Sequence, residues 1–175
     1  MKKFKKTKGI LFWITGLSGS GKTSIGKRIY PFVKKNYGPT IFINGDDLRN
    51  IFNLKKYDYK SRMKYLKYYT NFCKKIIDQK INVIICVVGL SDEIRKQNKK
   101  RFKNYIEIYI KSKVSLIKTH KIKKTYLQKK NVWGQDLKPE FPKKPNIIIH
   151  NNFKKDMSLL SFELIKKLKK DYQYE

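Results

Sequence analysis

The chain has no alanine, only 5 arginines, and 13 acidic residues against 43 basic ones. No run of ~18 apolar residues occurs, which excludes a membrane-spanning helix. The 2 cysteines, Cys73 and Cys86, are too few for a disulfide framework or a metal knuckle and read as small core residues. The basic segment Met1–Lys6 is followed only by a short apolar stretch that ends in a Gly-rich loop. It lacks a cleavage site of small residues, so no signal peptide is expected and the protein is predicted to be cytoplasmic. No repeat, Pro/Gly/Ser linker or change in composition divides the 175 residues, so one domain spanning 1–175 is expected.

What is abundant is lysine, 38 residues in a chain of net charge +30. With many Ile and Asn and no Ala, this reads first as the codon usage of a genome poor in G and C. The scarcity of acids leaves room for selection toward anionic ligands, and small phosphorylated molecules satisfy that as well as a nucleic acid does. Lysines fall on nearly every polar face, without a basic stripe or an RNA- or DNA-reading module. No nucleic-acid partner and no membrane partner is therefore expected. A basic nucleic-acid-binding ATPase is the competing reading from another class.

Short apolar runs at Gly9–Thr15, Ile41–Ile43, Asn82–Val88, Tyr105–Ile110 and Asn146–Ile149 read as buried strands. Between them lie helical patterns at Ser24–Lys35, at Lys60–Lys80 and after Ser91, a predicted N-cap, with a last one at Met157–Leu168. This alternation predicts an α/β fold with a central five-stranded parallel sheet covered by helices on both faces. The polar, lysine-rich stretch of about 121–144 is too long for an ordinary connection and reads as a lid.

Chemistry enters at Gly16-Leu17-Ser18-Gly19-Ser20-Gly21-Lys22-Thr23, a complete G-x-x-x-x-G-K-[ST] phosphate-binding loop set between a strand and a helix. By chance the pattern arises in roughly one chain in a hundred and fifty of this length. Its glycines let backbone N–H groups turn inward around phosphate oxygens, and the helix N-terminus adds positive charge. Residues Gly16 to Ser24 are thus predicted to bind ATP or GTP, with Lys22 on the β- and γ-phosphates and the Thr23 hydroxyl on Mg²⁺. After the second strand, Asp46 is placed to accept a proton from an attacking hydroxyl and Arg49 to clamp an anion, at the carboxyl end of the sheet where ligands bind.

These residues, Trp13 to Thr23 and then Gly45-Asp46-Asp47-Leu48-Arg49, resemble the adenylylsulfate (APS) kinase family. The likeness continues in order through Arg62, Asn82–Val88, Lys123 with Tyr126, and Gly134-Gln135-Asp136 with Glu140 and Pro142. The resemblance implies a P-loop NTPase fold. It also implies transfer of the γ-phosphoryl of ATP to the ribose 3′-hydroxyl of a nucleotide whose 5′-phosphate carries a further anionic group. By the same resemblance Asp46 is the base or an orienting group, Arg49 and Arg62 hold the acceptor's 5′ phosphate and its attached group, Lys123 lies on the lid, and the protein is a homodimer.

The departures from the family pattern gather on residues that read the acceptor's base. Tyr57 stands where the family has Phe, Tyr65 where it has Asn, and Val88-Gly89-Leu90 where it has Ile-Ser-Pro. Val132 beside Trp133 replaces its lid Phe, and His120 replaces an Arg. The substrate-binding set predicted here is Asp46, Arg49, Tyr57, Arg62, Tyr65, Val88, Gly89, Lys123 and Trp133. Phosphate-handling residues are kept while base-reading residues change, which resembles the branch of the family acting on a cytidine diphosphate-linked phosphoramidate. APS itself is the alternative acceptor.

Overall fold

The computed structural model describes residues 2–4, 9–120 and 131–174. Five parallel strands form the main sheet in the order β3–β4–β2–β5–β6: β2 (Leu11–Thr15), β3 (Thr40–Asn44), β4 (Asn82–Cys86), β5 (Tyr105–Lys111) and β6 (Ile147–His150). The inner strands β2 and β4 are buried along their whole length, which is why they read as continuous apolar runs. At the edges, β3 and β6 alternate between buried and more open positions.

Side-chain alternation along β2 supplies both faces of the core. Phe12 and Ile14 join Ile84, Ile106, Ile108 and Ile110 beneath α1 (Lys22–Tyr37) and the last helix, α6 (Met157–Asp171). Leu11 and Trp13 join Val83 and Ile85 on the other face, under α3 (Tyr59–Asp78) and α4 (Asp92–Arg101). Helix α3 presents Met63, Leu66, Tyr69, Cys73, Ile76 and Ile77 at three- and four-residue spacing, and Asp58 caps it by accepting from the Ser61 amide at 2.9 Å. Both cysteines are buried, and burial pushes each thiol up to about 12, so they stay protonated.

Four features differ from the sequence reading. Residues Gly45–Ile51 form a short helix, α2, directly after β3, with Asp46 and Asp47 in its first turn. A six-residue helix, α5 (Val114–Thr119), follows β5. A separate two-stranded parallel pair joins β1 (Lys2–Phe4) to β7 (Tyr172–Tyr174). Ser91 does precede α4, but its hydroxyl makes no capping bond; the Asp92 amide donates to the Glu140 carboxylate instead, at 2.7 Å. The first amide of α4 is thus satisfied by a carboxylate 48 positions along the chain, while the Ser91 hydroxyl is fully buried.

Among the described residues no helix is long and apolar enough to cross a membrane. Strand order places β2 at the centre, with the chain moving first to β3 and β4 on one side and then to β5 and β6 on the other. The crevice at the carboxyl end of β2 is therefore the topological switch point, where open α/β sheets bind ligands.

Candidate active site

The loop leaving β2 turns at once into α1. At Gly16 (φ 148°) a Cβ would lie 2.5 Å from the Ile110 carbonyl oxygen, so only glycine fits between this turn and β5. The Ser20 amide donates to the Leu17 carbonyl at 3.1 Å, closing the loop. Lys22 Nζ donates to the same carbonyl at 2.6 Å, which holds the ammonium over the loop.

The loop faces a cavity of about 910 Å³, at the upper end of the usual range for small-molecule sites. Ser18, Gly19 and Gly21 to Ser24 line it together with Asp46, Arg49, Tyr57, Arg62 and Tyr65. Val88, Gly89 and Trp133 also reach it. The structure thus brings together most of the residues singled out in the sequence. Gly16, Leu17 and Ser20 do not line the cavity: Leu17 turns inward under Trp133, and Ser20 is fully buried. Lys123 lies outside the described residues.

The two arginines are held differently from the phosphate loop. The Arg49 guanidinium carbon sits 4.1 Å from the Tyr57 ring centroid and 5.1 Å from that of Tyr65, and Nη1 donates to the Leu54 carbonyl at 2.6 Å. Such cation–π contacts are worth roughly 0.5–2 kcal/mol each and fix the guanidinium plane. Arg62 Nε donates to the Tyr57 carbonyl at 2.7 Å and Nη2 to the Asn131 carbonyl at 2.8 Å. Burial, with Arg49 alongside, lowers the Arg62 pKa from its ordinary value. Burial also pushes the Tyr69 hydroxyl, behind this cluster, up to about 12. Each arginine spends some of its five donors on loop carbonyls and keeps the others for an anion in the cavity.

Trp133 is only 3% exposed and packs with Leu17, Leu90, Ile117 and Val132, with its ring edge-on to Tyr59 at 5.9 Å. Its bulk holds the strap of residues 131–144 to the body. His120 is exposed and stacks on Phe153 with centroids 4.7 Å apart.

Several cavity residues were missed in the sequence. Asn151, just after β6, donates from Nδ2 to the Ser20 carbonyl at 3.0 Å and accepts the Phe153 amide at 2.9 Å. It thereby joins the phosphate loop to the turn carrying Phe153, which lines the cavity together with Met157. Their position at a strand's carboxyl end was the available signal, but Asn is so common here that Asn151-Asn152 did not stand out. Asn44 was missed too. The Thr23 hydroxyl donates to Asn44 Oδ1 at 3.3 Å, and Asn44 Nδ2 donates to Asp47 at 3.2 Å. These neutral and acidic oxygens beside the phosphate loop fit a hard cation such as Mg²⁺, which takes one or two protein oxygens and keeps waters or phosphate oxygens for the rest.

The family model for adenylylsulphate kinase matches residues 8–150. The cytidine diphosphoramidate kinase of Campylobacter jejuni is 33% identical over 168 residues, covering 93% of this chain and 98% of that protein. The adenylyl-sulfate kinase of Clostridium kluyveri is 26% identical over 151 residues, covering 82% of this chain and 76% of its own length. Among solved structures, the APS kinase of Mycobacterium tuberculosis in complex with AMPPNP and APS superposes with a TM-score of 0.81 at 20% identity, covering 93% of this chain and 98% of that one.

Proposed function

The chain belongs to the adenylylsulphate kinase family, a phosphotransferase acting on a nucleotide hydroxyl, and from that premise we propose that its acceptor is cytidine diphosphoramidate, phosphorylated on the ribose 3′-hydroxyl. The observation that carries the reading is that the phosphate loop and Asp46, Arg49 and Arg62 line one and the same cavity. The 33% identity to the Campylobacter jejuni enzyme supports the cytidine compound, as do the replacements Tyr57, Tyr65, Val88 and Gly89 on its walls. A site that hydrogen-bonds one base rejects another strongly, because its polar groups would be left unpaired.

In this reading ATP lies with its phosphates in the loop Gly16 to Thr23, and Phe153 and Met157 border the side away from the acceptor. Lys22 leaves the Leu17 carbonyl to meet the β- and γ-phosphate oxygens. The acceptor's 5′ phosphate and its attached group lie against Arg49 and Arg62, so that the ribose hydroxyl faces the γ-phosphate in line with the leaving oxygen. As the hydroxyl oxygen forms its bond to phosphorus, Asp46 takes its proton and the bond to the ADP oxygen breaks. Thr23, with Asn44 behind it, would hold Mg²⁺, which when bound neutralises charge on the phosphate oxygens. Residues of about 121–144 act as the lid, with Lys123 over the transferring group, and the whole chain works as one kinase domain. The homodimer rests on the resemblance alone, and light scattering of the purified protein decides it.

The test offers cytidine diphosphoramidate and APS as competing acceptors with ATP and Mg²⁺, and identifies products by ³¹P NMR. A new 3′-phosphomonoester on the cytidine compound, with higher kcat/KM than on APS, is expected. Preference for APS would assign the chain to sulfate assimilation and show that the replaced residues do not choose the base.

A further inference from the structure

We propose that Arg95 is a positioning residue of the transfer reaction: its guanidinium locks the Gly89 turn to the strap at Glu140, and so sets the spacing of two walls of the acceptor end. This rests on the reading above that the acceptor lies against Val88, Gly89 and Trp133.

Helix α4, DEIRKQNKKR, is strongly polar, yet the Arg95 side chain is only 5% exposed. Taking a charged group out of water is costly, and here carboxylates and carbonyls offset that cost. Nη1 donates to the Gly89 carbonyl at 3.1 Å, and Nη2 donates to the Glu140 carbonyl at 2.7 Å and to the Asp92 carboxylate. Nε lies 3.1 Å from Glu107 on β5. One planar group thus ties together the β4–α4 turn, the strap, α4 itself and the sheet.

Two further bonds close the same seam: the Glu140 amide donates to the Leu90 carbonyl at 3.1 Å, and the Glu140 carboxylate accepts the Asp92 amide. Gly89 is itself tightly placed, since at φ 49° a Cβ would come within 3.1 Å of the Trp13 ring. Seven residues before Glu140, the strap delivers Trp133 to the cavity. Fixing Glu140 against Gly89 therefore fixes one wall against the other; the phosphate loop meets that turn only at its start, where the Gly16 amide donates to the Val88 carbonyl at 3.4 Å and Leu17 packs on Leu90, and beyond Leu17 it has its own ties through Asn151 and Lys22.

Neutralising Glu107 needs only a positive charge, which lysine also supplies. Spanning two carbonyls from separate segments needs the guanidinium fork. Arg95→Lys is therefore the decisive variant. It should raise the acceptor KM about tenfold, change kcat less than threefold, and leave affinity for an ATP analogue within about twofold of wild type. Arg95→Met should do more in the same direction. If Arg95→Met fails to fold, Glu140→Ala removes one tie from an exposed residue and should raise the acceptor KM two- to fivefold.

Amide hydrogen exchange of Arg95→Lys should quicken together at 89–92 and 132–140 and stay unchanged at 19–23. A wild-type acceptor KM in Arg95→Lys would overturn the assignment, as would a parallel loss of ATP affinity or equal quickening at 19–23. If the wild-type enzyme phosphorylates neither acceptor, the functional reading fails, while the exchange pattern still decides whether Arg95 couples turn to strap.

Discussion

At the donor end of the cavity the groups offered to a phosphate come mainly from the backbone, in a loop whose path is dictated by glycines at 16, 19 and 21. At the acceptor end they come from side chains: Arg49 between Tyr57 and Tyr65, Arg62 reaching to the strap, Asp46 at the start of α2. Backbone donors cannot be exchanged by point substitution, whereas side chains can. The difference teaches where a family with one reaction can change its substrate. On the proposed reading the donor end stays fixed, and single replacements at the acceptor end read a new base without disturbing the transfer.

Substitutions at each end test this contrast. The largest effect is expected for Lys22→Ala, a loss of about a thousandfold in kcat, or roughly 4 kcal/mol of transition-state stabilisation, measured by single-turnover transfer. Asp46→Asn should lower kcat by at least about a hundredfold with ATP-analogue affinity near wild type. Retained turnover would remove Asp46 as the base.

Arg62→Ala should act on the acceptor side alone, raising its KM by roughly ten- to a hundredfold, as expected for lost charge-assisted bonds. If ATP affinity falls instead, the two ends have been assigned in reverse. Tyr65→Asn, which restores the family's residue, should shift the ratio of kcat/KM toward the adenine acceptor by a few-fold. An unchanged ratio would show that Tyr65 only packs.

The smallest effect concerns pH. Burial raises the Glu107 pKa from 4.5 to about 6, with Arg95 pulling the other way. Because the folded value is the higher one, the contribution to stability is complete below about 4.5 and is lost as pH rises through about 6. Thermal melts of wild type and Glu107→Gln should therefore converge at one end of that window and differ at the other; parallel curves would remove the shift.

The same contrast governs what was legible in the sequence. The phosphate loop and the inner strands β2 and β4 are local patterns, glycine spacing and unbroken apolar runs, and both were readable. Arg49 was readable from its place after the second strand, Arg62, Tyr57 and Tyr65 through family likeness, and all four meet in one cavity. That Arg49 lies between the two tyrosine rings depends on the course of residues 52–57, which no periodicity encodes. Helix α5 is a single six-residue piece in lysine-rich sequence, and the β1–β7 pair joins residues about 170 apart. The Ser91 cap was a sound local inference overruled by a tertiary one, since Glu140 is 48 positions away along the chain. Asn151 was hidden by composition, its role being visible only once β6 lies beside β5 and the Ser20 carbonyl comes within reach.

Phe153 carries a further consequence. Its backbone is held at φ 63°, a conformation that glycine or asparagine adopts readily and a phenylalanine does not. The Asn151 side chain, accepting the Phe153 amide, is what over-determines it. Stability and turnover should therefore pull this position in opposite directions. Selection of random codons at 153 for thermal resistance alone should enrich Gly and Asn, and selection for kinase activity should bring the aromatic ring back.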